Sequence, residues 1–359
     1  MKKVAVIMAG GRGERFWPQS RKSCPKQFLN LTDDGKTMIQ LTIERLKNIV
    51  EMDDIYIVTN KDYKDLVRQQ LPYIQSANIL LEPVSRNTAP CIGLAAVHIK
   101  KKYEDAVMIV LPSDHLIKYE ELYVDTLEDS VKLAMDNNNL VTIGVIPSYP
   151  ETGYGYINFE KDAEKTQISN AYRVNKFVEK PNLELAKEYV ASGKYLWNSG
   201  MFVWKVSSIL MNIREFIPNI YKGLDKIYKH LDSVDKVNVI QEEYEKMDSE
   251  SIDYAIMEKA QDIYTITGNF GWDDVGSWLA LERINKSNCD GNIIKGEVIT
   301  INTKNSILQA KDRLIVTLGI KDLIVVDTGD ALLISNKQCS QEIKKVIEAL
   351  KLNNKLEYL

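Results

Sequence analysis

An α/β fold is what this sequence predicts: a mixed, mostly parallel, Rossmann-like sheet continued by a small C-terminal β-solenoid. Three observations carry that expectation. Short β-branched runs alternate with helical patterns through the first two-thirds of the chain, a glycine-rich loop follows directly on the first apolar run, and from about residue 288 the texture changes to short, regularly spaced rungs. Strand and helix in alternation imply right-handed crossovers and a helix-covered sheet, with ligands bound outside the carboxyl ends of the strands.

In order along the chain, strands are expected at 4–9, 55–59, 79–81, 107–111 and 141–145, with helices at 38–50, 63–70, 90–103 and 123–137. Shorter strands at 154–159, 172–179 and 200–205, with helices at 183–192 and 207–216, read as a second sub-structure hung on that sheet. A solvated helical stretch covers 222–250, a further helix 251–261 and a return strand 264–267. Five short strands follow at 296–301, 306–309, 314–318, 323–327 and 331–335, separated by Gly, Asn, Asp or Lys turns and closed by a helix at 341–350. Such rungs suggest a small β-solenoid or sandwich, with the solenoid preferred. The domain boundary is therefore placed at 287/288, with a catalytic domain over 1–287. Residues 288–359 are expected to serve packing or a homodimer and to supply no catalytic group.

The 359 residues suffice for one large and one smaller domain, and 45% hydrophobic with 27% charged content is that of a soluble globular chain. A net charge of -4 argues against a general electrostatic role on nucleic acid or an anionic membrane, so phosphate affinity must come from a local basic site. Four cysteines (Cys24, Cys91, Cys289, Cys339) stand far apart without a CxxC pair, and the three histidines have no ligand spacing. No apolar run reaches membrane-span length. A cytoplasmic protein is expected, with any metal held by carboxylates.

Gly10-Gly11-Arg12-Gly13-Glu14-Arg15, followed by Pro25-Lys26-Gln27-Phe28, reads as a strand running into a phosphate-cradling loop. Glycines let backbone N–H groups approach an anion, and Arg15 and Lys26 add fixed positive charge. No Gly-Lys-Ser/Thr follows Gly13, which excludes a Walker A loop. Phe16 stands where a dinucleotide fingerprint needs its third glycine. The bland alternative is an ordinary strand-to-helix turn with solvated basic residues.

Further along, Glu82-Pro83-Val84-Ser85-Arg86-Asn87-Thr88-Ala89-Pro90 is a polar loop entering a helix. Asn87 or Thr88 can serve simply as the helix cap. Read functionally, the carboxylate accepts from guanine N1–H and the exocyclic amine, and Asn87 holds ribose or phosphate. Asp114 follows a strand, and Asp274 lies in Gly271-Trp272-Asp273-Asp274-Val275-Gly276-Ser277-Trp278. Each is a turn or cap residue taken alone; as a pair with substrate phosphates they suit Mg²⁺. Glu179 and Lys180 end a strand and, by alternation, point to opposite faces, with a surface ion pair as the plain alternative. With Gly155 and the Asn198-Ser199-Gly200 turn they supply carboxylate, ammonium, backbone N–H and amide, the equipment for a sugar phosphate.

Taken together, the glycine loop through Phe28, the Arg86–Pro90 loop, Pro112-Ser113-Asp114-His115, residues 177–181, Asn198-Ser199-Gly200 and residues 272–278 resemble the sugar-nucleotide pyrophosphorylase family. The match covers about residues 3–285, and the Arg-Asn-Thr-Ala-Pro loop and Pro-Lys-Gln-Phe favour its mannose-1-phosphate guanylyltransferase branch. The resemblance implies a nucleotidyltransferase sheet followed by a short left-handed β-helix. It implies transfer of GMP from GTP to mannose 1-phosphate, giving GDP-mannose and pyrophosphate with Mg²⁺. The implied nucleotide-binding residues are Gly10, Gly11, Gly13, Glu82, Arg86, Asn87 and Thr88. For the sugar phosphate they are Gly155, Glu179, Lys180 and Asn198. Arg15, Lys26, Lys180, Asp114 and Asp274 are the implied catalytic groups, Asp114 and Asp274 holding the metal. Asp273 stands where the branch often has Ser, so either neighbour can be the ligand. A thymidylyl- or uridylyltransferase, or a non-catalytic sugar-nucleotide-binding paralogue, are the alternative readings.

Overall fold

The computed structural model describes residues 1–11, 13–160 and 168–359, so Arg12 of the glycine loop lies outside the described residues. Two compact units account for the chain. The first comprises Met1–Gly10, Ile43–Ser113 and Ile117–Trp272; the second comprises Gly11–Thr42, Asp114–Leu116 and Asp273–Leu359.

The first unit holds a nine-stranded sheet of β1 (Lys3–Met8), β2 (Ile55–Asn60), β3 (Ile79–Glu82), β4 (Val107–Pro112), β5 (Leu140–Val145), β6 (Tyr156–Phe159), β7 (Ala171–Val178), β8 (Tyr195–Lys205) and β9 (Ile263–Gly268). Its order is β3-β2-β1-β4-β8-β5-β9-β7-β6. The β3-β2-β1-β4 half is wholly parallel, which is why β1 and β4 read as unbroken apolar runs: both faces are covered. Helix Thr88–Tyr103 buries ten of its residues, eight of them in the core shared with Val4, Val6, Met108 and Val110.

Beyond β4 the sheet becomes mixed. Strand β8 runs antiparallel to both β4 and β5, while β9 is parallel to β5. The region expected to hang on the sheet as a second sub-structure instead joins it, β6 pairing with β7 and β8, and β7 with β9. The period-2 signal is local and carries no information on which sheet a strand enters. The solvated stretch resolves into helices Pro218–His230 and Lys236–Lys246. Where a helix is expected at 251–261, the chain forms one π turn, Asp253–Met257. No helix among the described residues is long and apolar enough to cross a membrane.

The second unit carries the rungs: β10 (Ile293–Lys295), β11 (Val298–Ile301), β12 (Ile307–Gln309), β13 (Ile315–Leu318), β14 (Leu323–Asp327) and β15 (Leu332–Asn336). Strands β10-β12-β14 stack in parallel, as do β11-β13, the arrangement of a β-helix. Strand β10 is the rung the sequence reading missed. Its three residues are too short to show a period. Ile293, Ile307 and Ile324 stack inside the coil and join a core with Phe16, Trp17, Trp278, Ile343 and Ile347. The aromatic residues just behind the glycine loop are thus buried among the C-terminal rungs, and the Trp17 indole donates to the Tyr358 carbonyl at 2.8 Å. This unit also gathers residues that chain order places before the 287/288 boundary.

Candidate active site

A cavity of about 420 Å³ in the second unit brings together Gly13, Arg15, Lys26, Asp114, His115 and Asp274. The local folding is legible residue by residue. Gly13 has φ 59, and a Cβ there would meet the Lys26 Cβ at 2.3 Å, so only glycine lets the turn close over Lys26. Asp114 follows β4 directly. An antiparallel bridge, Leu116 N–H to the Asp273 carbonyl at 2.8 Å and its reciprocal at 3.1 Å, then draws the Asp114 and Asp274 segments side by side.

Electrostatics set the roles of these groups. Lys26 is buried, its ammonium 2.8 Å from Asp114 Oδ2 and donating to the Asp274 carbonyl at 2.6 Å. Burial pushes the Asp114 carboxyl up, but the Lys26 and His115 charges outweigh it and hold the group below its ordinary value. Desolvation is the largest influence on His115 and lowers its pKa, with the Asp114 carboxylate opposing it. The Asp274 carboxylate accepts from the Gly276 N–H at 3.1 Å and lines the cavity. Asp273 does something else: Arg283 grips it with Nε at 2.5 Å and a second nitrogen at 3.0 Å, and the Val275 N–H donates to it at 2.8 Å. Its carboxylate is consumed by packing. Asp114 and Asp274 form a hard-oxygen pair that fits Mg²⁺ completed by substrate phosphates. No group of three or more potential ligands occurs among the described residues.

In the first unit, Glu82 at the end of β3 is buried, with the Tyr244 hydroxyl donating to its Oε1 at 2.5 Å and its Oε2 lying against Gly10. Desolvation raises its carboxyl to about 7, the Tyr244 hydrogen bond opposing this. The next three expected residues take structural partners. Arg86 donates to the Glu245 carbonyl, the Asn87 amide oxygen accepts the Thr88 N–H at 2.9 Å as helix cap, and the Thr88 hydroxyl accepts the Ile252 N–H at 2.8 Å. Their helix-capping reading describes these contacts.

Also in the first unit, Gly155, Glu179, Lys180 and Asn198 converge. A Cβ on Gly155 would meet Glu179 Oε2 at 2.6 Å, and the Gly155 carbonyl accepts the Asn198 N–H at 2.8 Å. Glu179 and Lys180 do not point to opposite faces. Strand β7 ends at Val178 and Lys180 takes φ 44, a left-handed turn that breaks the alternation and sets its ammonium 2.5 Å from Glu179 Oε1. The Asn198 amide is oriented from both ends, accepting from the Gly200 N–H at 3.1 Å and donating to Asp253 Oδ1 at 2.6 Å.

Asp253 and Tyr244, which hydrogen-bond the candidate residues Asn198 and Glu82, were passed over by sequence reasoning, one inside an expected helix and the other in a stretch read as solvated. The available signal was an acid two residues past a Ser-Ile start. Lys344 was missed too: helix Ile343–Leu352 brings it to the lining of the 420 Å³ cavity.

This nucleotide-handling architecture has known counterparts. The chain belongs to the nucleotidyl transferase family, whose model matches residues 4–291. A MannoseP isomerase/GMP-like beta-helix domain model matches residues 296–350. Among individual proteins, the chain is 42% identical over 358 residues to a mannose-1-phosphate guanylyltransferase of Salmonella montevideo, covering 99% of this chain and 75% of that protein. It is 41% identical to the mannose-1-phosphate guanylyltransferase of Escherichia coli K12, covering 98% and 74%. A Thermus thermophilus crystal structure described as a mannose-1-phosphate geranyltransferase superposes with a TM-score of 0.87 at 33% identity, covering 98% of this chain and all of that one.

Proposed function

We propose that this protein transfers GMP from GTP to α-D-mannose 1-phosphate, releasing pyrophosphate and GDP-mannose. The observation that carries the reading is the cavity in which the Gly13 turn, Arg15, Lys26 and the Asp114/Asp274 pair meet, in a chain about 40% identical to mannose-1-phosphate guanylyltransferases over nearly its whole length.

The chemistry asks for positioning more than for acid or base groups. A sugar phosphate is already anionic near neutral pH, its second pKa being about 6, so no general base is required. Backbone N–H groups of Gly10, Gly11 and Gly13, with Arg15, hold the β- and γ-phosphates that leave; Lys26 neutralises charge at the α-phosphate. Asp114 and Asp274 are the residues that would hold Mg²⁺. When bound, the ion supplies charge neutralisation and alignment for in-line attack. Asp273, committed to Arg283, is left out of this set.

Glu82 reads the guanine N1–H and amine edge, with Arg86, Asn87 and Thr88 shaping the loop beside it. Lys180 neutralises the sugar phosphate while Glu179 and Asn198 hold sugar hydroxyls, and Gly155 leaves room for Glu179. Supply of GTP assigns the reaction to the cytoplasm. The boundary near residue 288 separates chain segments by role, transfer chemistry before it and scaffolding mostly after it. A homodimer is proposed as well, because Ile299, Ile301, Val316 and Leu318 stand exposed in register on β11 and β13. A solution mass of twice 41.0 kDa is expected, and a monomer at micromolar concentration would remove that claim.

A pyrophosphate-release assay crossing four nucleoside triphosphates with mannose 1-phosphate and glucose 1-phosphate tests the main reading. Turnover is expected with GTP and mannose 1-phosphate. Preference for dTTP or UTP would move the protein to a sister activity, and release with no pair would make it a binding paralogue.

A further inference from the structure

We infer that Lys344, from the C-terminal helix, binds the phosphates that leave as pyrophosphate, an inference that rests on the guanylyltransferase reading above. Three observations lead to it. Lys344 lines the same 420 Å³ cavity as Gly13, Arg15, Lys26, Asp114 and Asp274. Its helix is held there by Ile343 and Ile347, which share a buried core with Phe16, the residue after Arg15. And Lys344 makes no hydrogen bond or ion pair with any described residue, whereas its neighbour Lys345 is paired with Glu342 at 2.6 Å.

Charge balance gives Lys344 its task. Among the described lining residues, the acids Glu14, Asp114 and Asp274 stand against three permanent cations, Arg15, Lys26 and Lys344. Lys26, assigned to the α-phosphate, also pairs with Asp114 and donates to the Asp274 carbonyl. Without Lys344 two permanent cations would face three acids, a poor receptor for a triphosphate. With it, Arg15 and Lys344 are the two described lining cations available for the β- and γ-phosphates. Local electrostatics do not explain the residue: it sits in the first turn of helix Ile343–Leu352, whose N-terminus has no side-chain cap, and a cation there opposes the helix dipole. A residue that breaks a local rule in a phosphate cavity is accounted for by the anion it meets.

The ligands of the reaction separate this role from a general one. GTP and pyrophosphate occupy the leaving-group position; GDP-mannose, whose second phosphate belongs to the sugar, does not. Lys344→Met should weaken binding of GTP and of inorganic pyrophosphate about tenfold, the effect of one charged hydrogen bond, and leave GDP-mannose affinity within about twofold. Lys344→Arg should restore the loss, and Lys345→Met, the same charge change outside the cavity, should have no effect. Because the side chain is exposed and opposes the dipole, Lys344→Met should keep or slightly raise Tm. Unchanged GTP and pyrophosphate affinity in Lys344→Met, or an equal loss for GDP-mannose, overturns the inference while the guanylyltransferase reading stands. A wild-type protein that binds neither GTP nor pyrophosphate overturns both.

Discussion

Two aspartates of this protein face opposite fates. Asp114, in the second unit, lies against the Lys26 ammonium and is held below its ordinary pKa; Asp253, in the first unit, is partly buried opposite an amide and a second acid and is pushed up to about 6. Burial is the largest influence on both and acts in the same direction. What differs is the neighbour: a full positive charge for Asp114, an Asn198 hydrogen bond and the Glu179 carboxylate for Asp253. A carboxyl kept anionic suits metal and phosphate chemistry. One that shares protons near neutrality suits hydroxyls and base edges. Glu82, raised to about 7, falls in the second class.

The largest effect should come from breaking the anionic class. Asp274→Asn is expected to lower kcat by about three orders of magnitude with Tm nearly unchanged, since a lost metal ligand forfeits charge stabilisation in the transition state. Asp273→Asn should do the reverse. It weakens the clamp on Arg283, which is partly exposed, so about 1 kcal/mol of stability is lost, and kcat stays within a few-fold. Kinetics and thermal melts of the two variants, side by side, check this, and the opposite pattern would exchange the roles of the neighbours.

Legibility in the sequence follows the same division. The glycine loop, Lys26 and the Asp114/Asp274 pair were readable because charge and glycine have few reasons to stand behind an apolar run. Strands β1 to β5 were readable because a parallel, doubly covered strand is a continuous apolar run. The pairing of β6 to β9 into that sheet was not, because alternation is blind to partners. Nor was the left-handed turn at Lys180, which reversed the expected geometry of Glu179 and Lys180. Asp253 and Lys344 escaped for a different reason: a lone charged residue in a helical pattern looks solvated until packing places it. In the loop from Arg86 to Thr88 the structure adds capping and tethering contacts that the motif alone left as an alternative.

A smaller effect tests the raised class through Glu82. Its folded pKa of about 7 lies above the ordinary glutamate value near 4.3, so the native state binds more protons than the unfolded chain between those pH values. Stability should therefore fall as pH rises from about 4.5 to 7 and level off above that. Glu82 contributes about 3 kcal/mol to the decline. Asp253 slopes the same way over a narrower window, which is why the comparison must be made against Glu82→Gln. Denaturant titrations at pH 5 and 8 should show a smaller difference in the variant; equal differences would mean that Glu82 titrates normally. The same variant should narrow the preference for GTP over ITP, which lacks the exocyclic amine.

The smallest effect belongs to Asp253 itself, which acts through Asn198. The Asn198 amide has its oxygen on the Gly200 N–H and its nitrogen on Asp253 Oδ1, so removing the acid frees the amide to turn. Asp253→Ala should raise KM for mannose 1-phosphate about fivefold, the worth of one misplaced hydrogen bond to a neutral hydroxyl, with KM for GTP unchanged. Asp253→Asn keeps an acceptor for the Asn198 amide and should recover most of the loss. That rescue separates positioning from bulk stability, because both variants remove the same buried charge and should shift Tm alike. If the two raise KM equally, the acid itself touches substrate. If KM for GTP rises in step, Asp253 supports the unit as a whole, and the contrast with Asp114 reduces to packing.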